Sequence, residues 1–179
     1  RPMRIFISHL HGDHVLGLPG LLQTMSLFDF KHSIEVYGPK GIYNFLKTIV
    51  EILRFHLTFP IKVKEAEEGI ICKEKEYEVQ AVWSEHGVPN LSYALIEKKR
   101  PGKFYPENAL SIGVPEGPLW SRLQRGEKVI LADGRRVVPE QVMGPARPGR
   151  KIVYSGDTKP CPALLKLARD ADLLICEAT

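Results

Sequence analysis

The segment His9-Leu10-His11-Gly12-Asp13-His14 puts three imidazoles and a carboxylate within six residues. Imidazole nitrogen and carboxylate oxygen are donors that zinc accepts at ~2.0–2.2 Å. On extended backbone His9 and His11 share a face. Asp13 and His14 lie one turn further and reach a second point nearby. Two cations held ~3.5–4 Å apart can clamp the attacking and leaving oxygens of a displacement. A surface histidine cluster or a tag would explain the imidazoles alone. An interrupted pattern set directly behind a hydrophobic run points instead to metal-assisted hydrolysis.

A centre of this kind needs further donors from elsewhere in the chain. His86 stands in Trp83-Ser84-Glu85-His86-Gly87, and Asp157 in Tyr154-Ser155-Gly156-Asp157-Thr158. Both follow apolar runs that read as strands. His32 and His56 have no comparable setting and read as ordinary histidines.

The elements that must position these groups follow from periodicity. Met3 to Ile7 is a buried strand. Val15 to Met25 is apolar but broken by Gly17-Leu18-Pro19-Gly20, which reads as a loop entering a helix. Ser33 to Tyr37 is a strand stopped by Gly38-Pro39. Gly41 to Phe55 has helical spacing at Ile42, Phe45, Leu46, Ile49 and Leu53. A strand begins over Phe59 to Val63. Gly69 to Trp83 reads as a hairpin region, with alternation at Tyr77, Val79, Ala81 and Trp83. Leu91 to Ile96 and Lys151 to Tyr154 are strands, Pro162 to Ala171 a helix, and Asp172 to Cys176 a last strand. Strands mixed with helices predict an α/β or α+β layered fold.

The net charge of +4 is distributed unevenly. From Lys98 to Lys151 there are twelve Lys or Arg against five Asp or Glu; the remainder is mildly acidic. A basic segment favours a polyanionic partner. The same segment is rich in glycine and proline, and its apolar residues are too sparse for much of the main core. It reads as an arm that leaves the domain and returns, giving residues 1–97 and 151–179 as core and 98–150 as insertion. Phe104, Tyr105 and Trp120 could stack on bases, but holding a small subdomain together is the favoured role. No apolar run approaches a membrane span, and no signal peptide is visible. Cys72, Cys161 and Cys176 read as reduced thiols serving as small buried hydrophobes in a cytoplasmic protein. Both ends read as cut inside structure: the chain starts at Arg1 and stops just after an apolar run.

Four stretches together resemble ribonuclease Z, a tRNA 3′-processing endonuclease of the metallo-β-lactamase superfamily. They are Ser8 to His14 running into Gly17-Leu18-Pro19-Gly20-Leu21-Leu22; Glu85-His86-Gly87-Val88-Pro89-Asn90-Leu91-Ser92-Tyr93; Gly113-Val114-Pro115-Glu116-Gly117-Pro118-Leu119 inside the basic insertion; and Tyr154 to Pro160 followed by Cys176-Glu177-Ala178-Thr179. The resemblance implies an αββα four-layer sandwich, of which this chain holds the central part, with an inserted flexible tRNA-binding arm. It implies two zinc ions in a complete site. His9, His11 and His86 would hold one; Asp13 and His14 would hold the other, with Asp157 bridging. Asp13 would also act as general base, and Glu177 would assist proton transfer; Cys176 replaces the histidine that precedes this glutamate in the family.

In the arm the resemblance and the charge nominate Lys98, Lys99, Arg100, Lys103, Gly113, Pro115, Gly117, Pro118, Arg122, Arg125, Arg135 and Arg136 for RNA contact. Precursor tRNA, a homodimer and a cytoplasmic setting are implied as well. The family's early strands and its late metal-ligand histidine are not in the sequence, so one tight zinc is expected. Two other readings stay open: a different hydrolase on the same scaffold, such as a glyoxalase-II-like thioesterase or small phosphodiesterase, or an inactive metal- or RNA-binding piece.

Overall fold

The computed structural model describes residues 2–177. The chain divides into two compact units, residues 1–96 with 150–179, and residues 97–149.

In the first unit, β1 (Met3–Phe6), β2 (Ile34–Gly38) and β3 (Ile61–Glu65) form a parallel three-stranded sheet. Parallel neighbours need crossover connections. A single turn α1 (Gly12–Val15) and the helix α2 (Gly17–Leu27) make the first, and α3 (Ile42–Leu53) makes the second. The Gly-Leu-Pro-Gly stretch is therefore helix, not the loop its composition suggests. Pro19 falls in the first turn of α2, where a backbone N–H has no helical acceptor to lose.

The second sheet has five strands in the order β10-β9-β6-β5-β4. These are β4 (Gly69–Lys73), β5 (Tyr77–Ser84), β6 (Asn90–Glu97), β9 (Lys151–Tyr154) and β10 (Leu173–Ile175). β4 and β5 are the expected hairpin, and β6 runs antiparallel to β9. Helix α6 (Pro162–Ala168) ends three residues earlier than its pattern suggests, because Arg169 turns extended and Asp170 takes a left-handed conformation.

Three apolar clusters define the layers. Val15, Leu18, Leu22 and Leu46 of the helices pack on Ile34 and Val36 of the first sheet. Tyr37 and Phe6 of that sheet meet Val79, Ala81, Leu91 and Tyr93 of the second. Ala94 and Val153 on the far face of the second sheet are covered by Leu164 and Leu167 of α6 (Pro162–Ala168). Helix, sheet, sheet and helix are thus stacked in that order. All three cysteines are free; Cys72 and Cys161 are buried, whereas Cys176 is exposed, against the expectation that all three fill the core.

The second unit carries its own core. α4 (Pro106–Ser111), α5 (Pro118–Gln124), the hairpin β7 (Val129–Ile130) and β8 (Arg136–Val137), and a 3₁₀ turn at Pro139–Gln141 enclose Ala109, Val114, Leu123, Val129 and Val142. Its apolar residues are few but converge, so sparse composition does not make this arm a bare loop. Gly113-Val114-Pro115-Glu116-Gly117-Pro118 links the two helices. Val114 is anchored in the core, Gly113 and Gly117 take positive φ, and Pro118 opens α5. Phe104 packs on Trp120 with ring centroids 5.2 Å apart, and Trp120 Nε1 donates to the Val114 carbonyl at 3.1 Å. These two aromatics serve the subdomain. No helix among the described residues is long and apolar enough to cross a membrane.

Candidate metal centre

The centre lies where β1 ends between the two sheets. Ile7 N–H donates to the Tyr37 carbonyl at 2.8 Å, and the Ile7 carbonyl accepts from the buried Tyr93 hydroxyl at 2.7 Å. Burial pushes the Tyr93 phenol up, which keeps that donor protonated. Leu91 N–H donates to the Ser8 carbonyl at 2.9 Å. The backbone entering the histidine motif is thereby held to β2 on one side and β6 on the other.

Three imidazole nitrogens converge from this frame. His9 Nε2 is 3.1 Å from His11 Nδ1, and His86 Nε2 is 3.2 Å from the same atom. Three ligands at ~2.0–2.1 Å around a tetrahedral ion stand about 3.3–3.4 Å apart. The spacing and the donor type therefore fit one zinc ion. Ser8 Oγ sits 3.1 Å from His9 Nδ1 and so turns Nε2 toward the centre. Burial, helped by the nearby His14 and His86, pushes the His9 imidazole below its ordinary value. A neutral imidazole with a free lone pair is the form a metal takes.

A second group lies beside the first. His9, His14 and Asp157 also bring one donor atom each within ligand reach of one another. His14 Nε2 is 3.3 Å from Asp157 Oδ2 and 3.4 Å from Asp13 Oδ2. Asp13 touches the centre only through His14, and its side chain is 77 % exposed. It belongs to neither convergent triad, so its expected place as a ligand is the loosest of the six. His9 is in both triads, which its spacing in the motif does not reveal.

Asp157 depends on a turn that only glycine can make at its head. Gly156 has φ +64°, and a Cβ there would lie 2.7 Å from Asn90 Oδ1 and 2.8 Å from Ser8 Cβ. Beyond it, Thr158 N–H donates to Glu177 Oε1 at 2.6 Å, and Lys159 N–H donates to the Glu85 carbonyl at 3.0 Å. Glu177 thus braces the turn that presents Asp157. Ala178 and Thr179, the rest of that motif, lie outside the described residues. Ser8, Tyr93, Asn90 and Ser92 also help to build this frame. The one signal for the last two is a pair of polar residues inside an otherwise apolar strand. His32 and His56 lie apart from both triads; His32 packs edge-on against Phe30.

Beside His86 opens a cleft of about 990 Å³, lined by Lys40, Trp83, Glu85, Val88, Asn90 and Lys159 among others. The arm's nominated cations are partly engaged with each other's neighbours. Arg122 and Arg125 both hydrogen-bond Glu127 at 3.0 Å, and Arg135 bonds Asp133 at 2.7 Å. Arg100 lies 3.8 Å from Glu97, and Lys103 sits over the Tyr105 ring. Lys98, Lys99 and Arg136 are exposed.

Comparison with known proteins places these features in a family. The chain is 50% identical over 171 residues to ribonuclease Z of Methanosarcina acetivorans, covering 96% of this chain and 56% of that protein. It is 46% identical to ribonuclease Z of Myxococcus xanthus (98% of this chain, 57% of that one) and 46% identical to that of Brevibacillus brevis (98% and 56%). The chain thus spans a little over half the length of these relatives. Among solved structures it superposes on human tRNase Z, short form, with TM-score 0.59 and 25% identity, covering 96% of this chain and 56% of that one. The metallo-β-lactamase fold protein YhfI of Bacillus subtilis gives TM-score 0.50 at 13% identity, over 96% of this chain and 47% of that one, a likeness of fold. No family model matches the chain.

Proposed function

We propose that this chain, which belongs to the ribonuclease Z family, carries the catalytic centre of a zinc-dependent endoribonuclease that removes the 3′ trailer from precursor tRNA. The observation that carries this reading is that His9 Nε2 and His86 Nε2 converge on His11 Nδ1, at 3.1 and 3.2 Å, beside a second group that adds His14 and Asp157. Zinc bound there would lower the pKa of water to ~7 and neutralise charge on the phosphoryl oxygens.

The chain's own residues do the rest. His9, His11 and His86 would hold one ion, and His14 and Asp157 would face the second position. The exposed Asp13 carboxylate takes a proton from the attacking water, as a general base in reach of His14. Glu177 holds the Thr158 amide and with it the turn carrying Asp157. Water is the nucleophile, so no ribose 2′-hydroxyl is needed; it adds to phosphorus as the P–O3′ bond breaks, leaving a 3′-hydroxyl on the tRNA and a 5′-phosphate on the trailer.

The basic second unit grips the folded tRNA through backbone and shape contacts. A homodimer and a cytoplasmic setting belong to the same proposal; three free thiols suit a reducing compartment.

Precursor tRNA with a 3′ trailer tests the reading directly. Cleavage at the 3′ end that a chelator abolishes and zinc restores is the expected result. Metal analysis after dialysis should find one zinc per chain held tightly and a second held weakly. Loss of all zinc on dialysis, or cleavage indifferent to the chelator, would overturn the proposal.

A further inference from the structure

A buried polar hub sits behind the metal centre and ties its separate loops together. Asn90 and Ser92 open β6 and are wholly buried, at 0 % exposure; Ser155 is 1 % exposed. Asn90 Nδ2 donates to Ser84 Oγ at 2.7 Å and to the Ser155 carbonyl at 3.3 Å. Ser92 Oγ donates to the same carbonyl at 2.7 Å and lies 2.9 Å from Ser84 Oγ. Ser84 is two residues from His86, and Ser155 two from Asp157.

Buried polar groups are costly unless satisfied, and a core of this shape could have been apolar. One atom of the hub is not satisfied: among the described residues Asn90 Oδ1 is buried and accepts nothing. That oxygen faces Gly156, whose missing Cβ would stand 2.7 Å from it. Stability alone gives no reason to keep such an atom.

We infer that Asn90 and Ser92 are positioning residues for the metal centre, clamping the Ser155 carbonyl and Ser84 so that Asp157 and His86 are set relative to His9. The inference rests on the metal reading above. Neither residue touches the metal position; they act through the Ser155 carbonyl and the Ser84 hydroxyl, each two residues before a ligand. Groups that orient metal ligands typically cost 10–100-fold in metal affinity when removed.

The test is a cobalt(II) titration of the metal-free chain against a competing chelator, read by visible absorption, with folding followed by circular dichroism. Asn90→Leu keeps the size of the side chain and removes the orphan oxygen; Ser92→Ala removes the other donor. Each is expected to lower cobalt affinity about 10–100-fold and to alter the ligand-field bands. A control, Leu46→Ala in α3, lowers thermal stability but leaves affinity and bands of the folded chain unchanged. Should Asn90→Leu fail to fold, Ser92→Ala decides alone. Variants that bind cobalt with the affinity and spectrum of the parent overturn the positioning role. A parent chain that binds no cobalt overturns the metal reading itself, and this inference with it.

Discussion

At the residue scale, the candidate metal ligands stand out by type and the residues around them do not. His9, His11, His14, His86 and Asp157 were legible because imidazole and carboxylate at strand ends have few other uses in that density. Asp13 was legible too, yet its side chain stands exposed and meets the centre only through His14. That placement suits a group that moves protons more than one that holds metal. Asp13→Asn should therefore cut cleavage by ~10²-fold or more. Zinc bound by the three imidazoles should stay, and parallel rate and metal measurements separate the two effects. Near-normal cleavage would remove Asp13 from the mechanism.

What sequence could not reveal at this scale is pairing across long separations. Arg4 of β1 hydrogen-bonds Glu35 of β2 at 2.7 Å, and Lys64 of β3 reaches the same carboxylate at 3.3 Å. Burial pushes Glu35 up, but these cations outweigh it and hold the carboxyl below its ordinary value. A lowered pKa means the paired charge stabilises the fold above the unfolded value of ~4.3 and stops doing so as pH falls through the folded one. Glu35→Gln should cost about 1–3 kcal/mol at pH 7, since the part-buried Arg4 loses one of its two carboxylate partners. The difference should shrink toward pH 3. Denaturant melts at both pH values check it; a gap that does not change with pH refutes the pairing.

At the element scale, periodicity located most strands and helices because one face of each is apolar and the other is not. It failed where a rule of composition met an exception of position. Glycine and proline in Gly17 to Gly20 normally break a helix, but in its first turn they cost little. The arm is legible as an insertion that leaves and returns, and the way its core closes is not. Its core is built from single apolar residues brought together by turns at Gly113, Gly117 and Gly134, and no window of sequence contains that convergence. Because the arm is compact in its own right, its removal is a clean experiment. Replacing residues 98–149 by a short linker, in a protein of the relatives' full length, should weaken tRNA binding strongly. Hydrolysis of bis-p-nitrophenyl phosphate should continue. Binding by the intact protein should fall steeply with salt, as each phosphate contact releases counterions. Unchanged tRNA affinity after deletion would exclude the arm from recognition.

At the scale of the whole molecule, the mixture of elements predicts a layered fold, and the order helix, sheet, sheet and helix comes only with the resemblance to ribonuclease Z. The partition of strands between two sheets does not follow from the mixture. Which sheet a strand joins depends on contacts between distant residues, and the local pattern of an inward face is the same in either. The metal pocket inherits this non-locality. Its floor is the bond between Leu91 and Ser8, and its wall the bonds from Ser92 and Asn90 to Ser155. Each such contact closes a long loop, and loop closure is what slows folding. A pocket that depends on so many long-range contacts is expected to be completed late in folding. Zinc added during refolding should leave the folding arm of a chevron plot unmoved and lower the unfolding arm alone, since it binds what the transition state lacks. A zinc-accelerated folding limb would show the opposite order. For a cell, the consequence would be one of timing: an ion bound there would act as a latch on a finished fold, and the chain would find its shape without the metal's help.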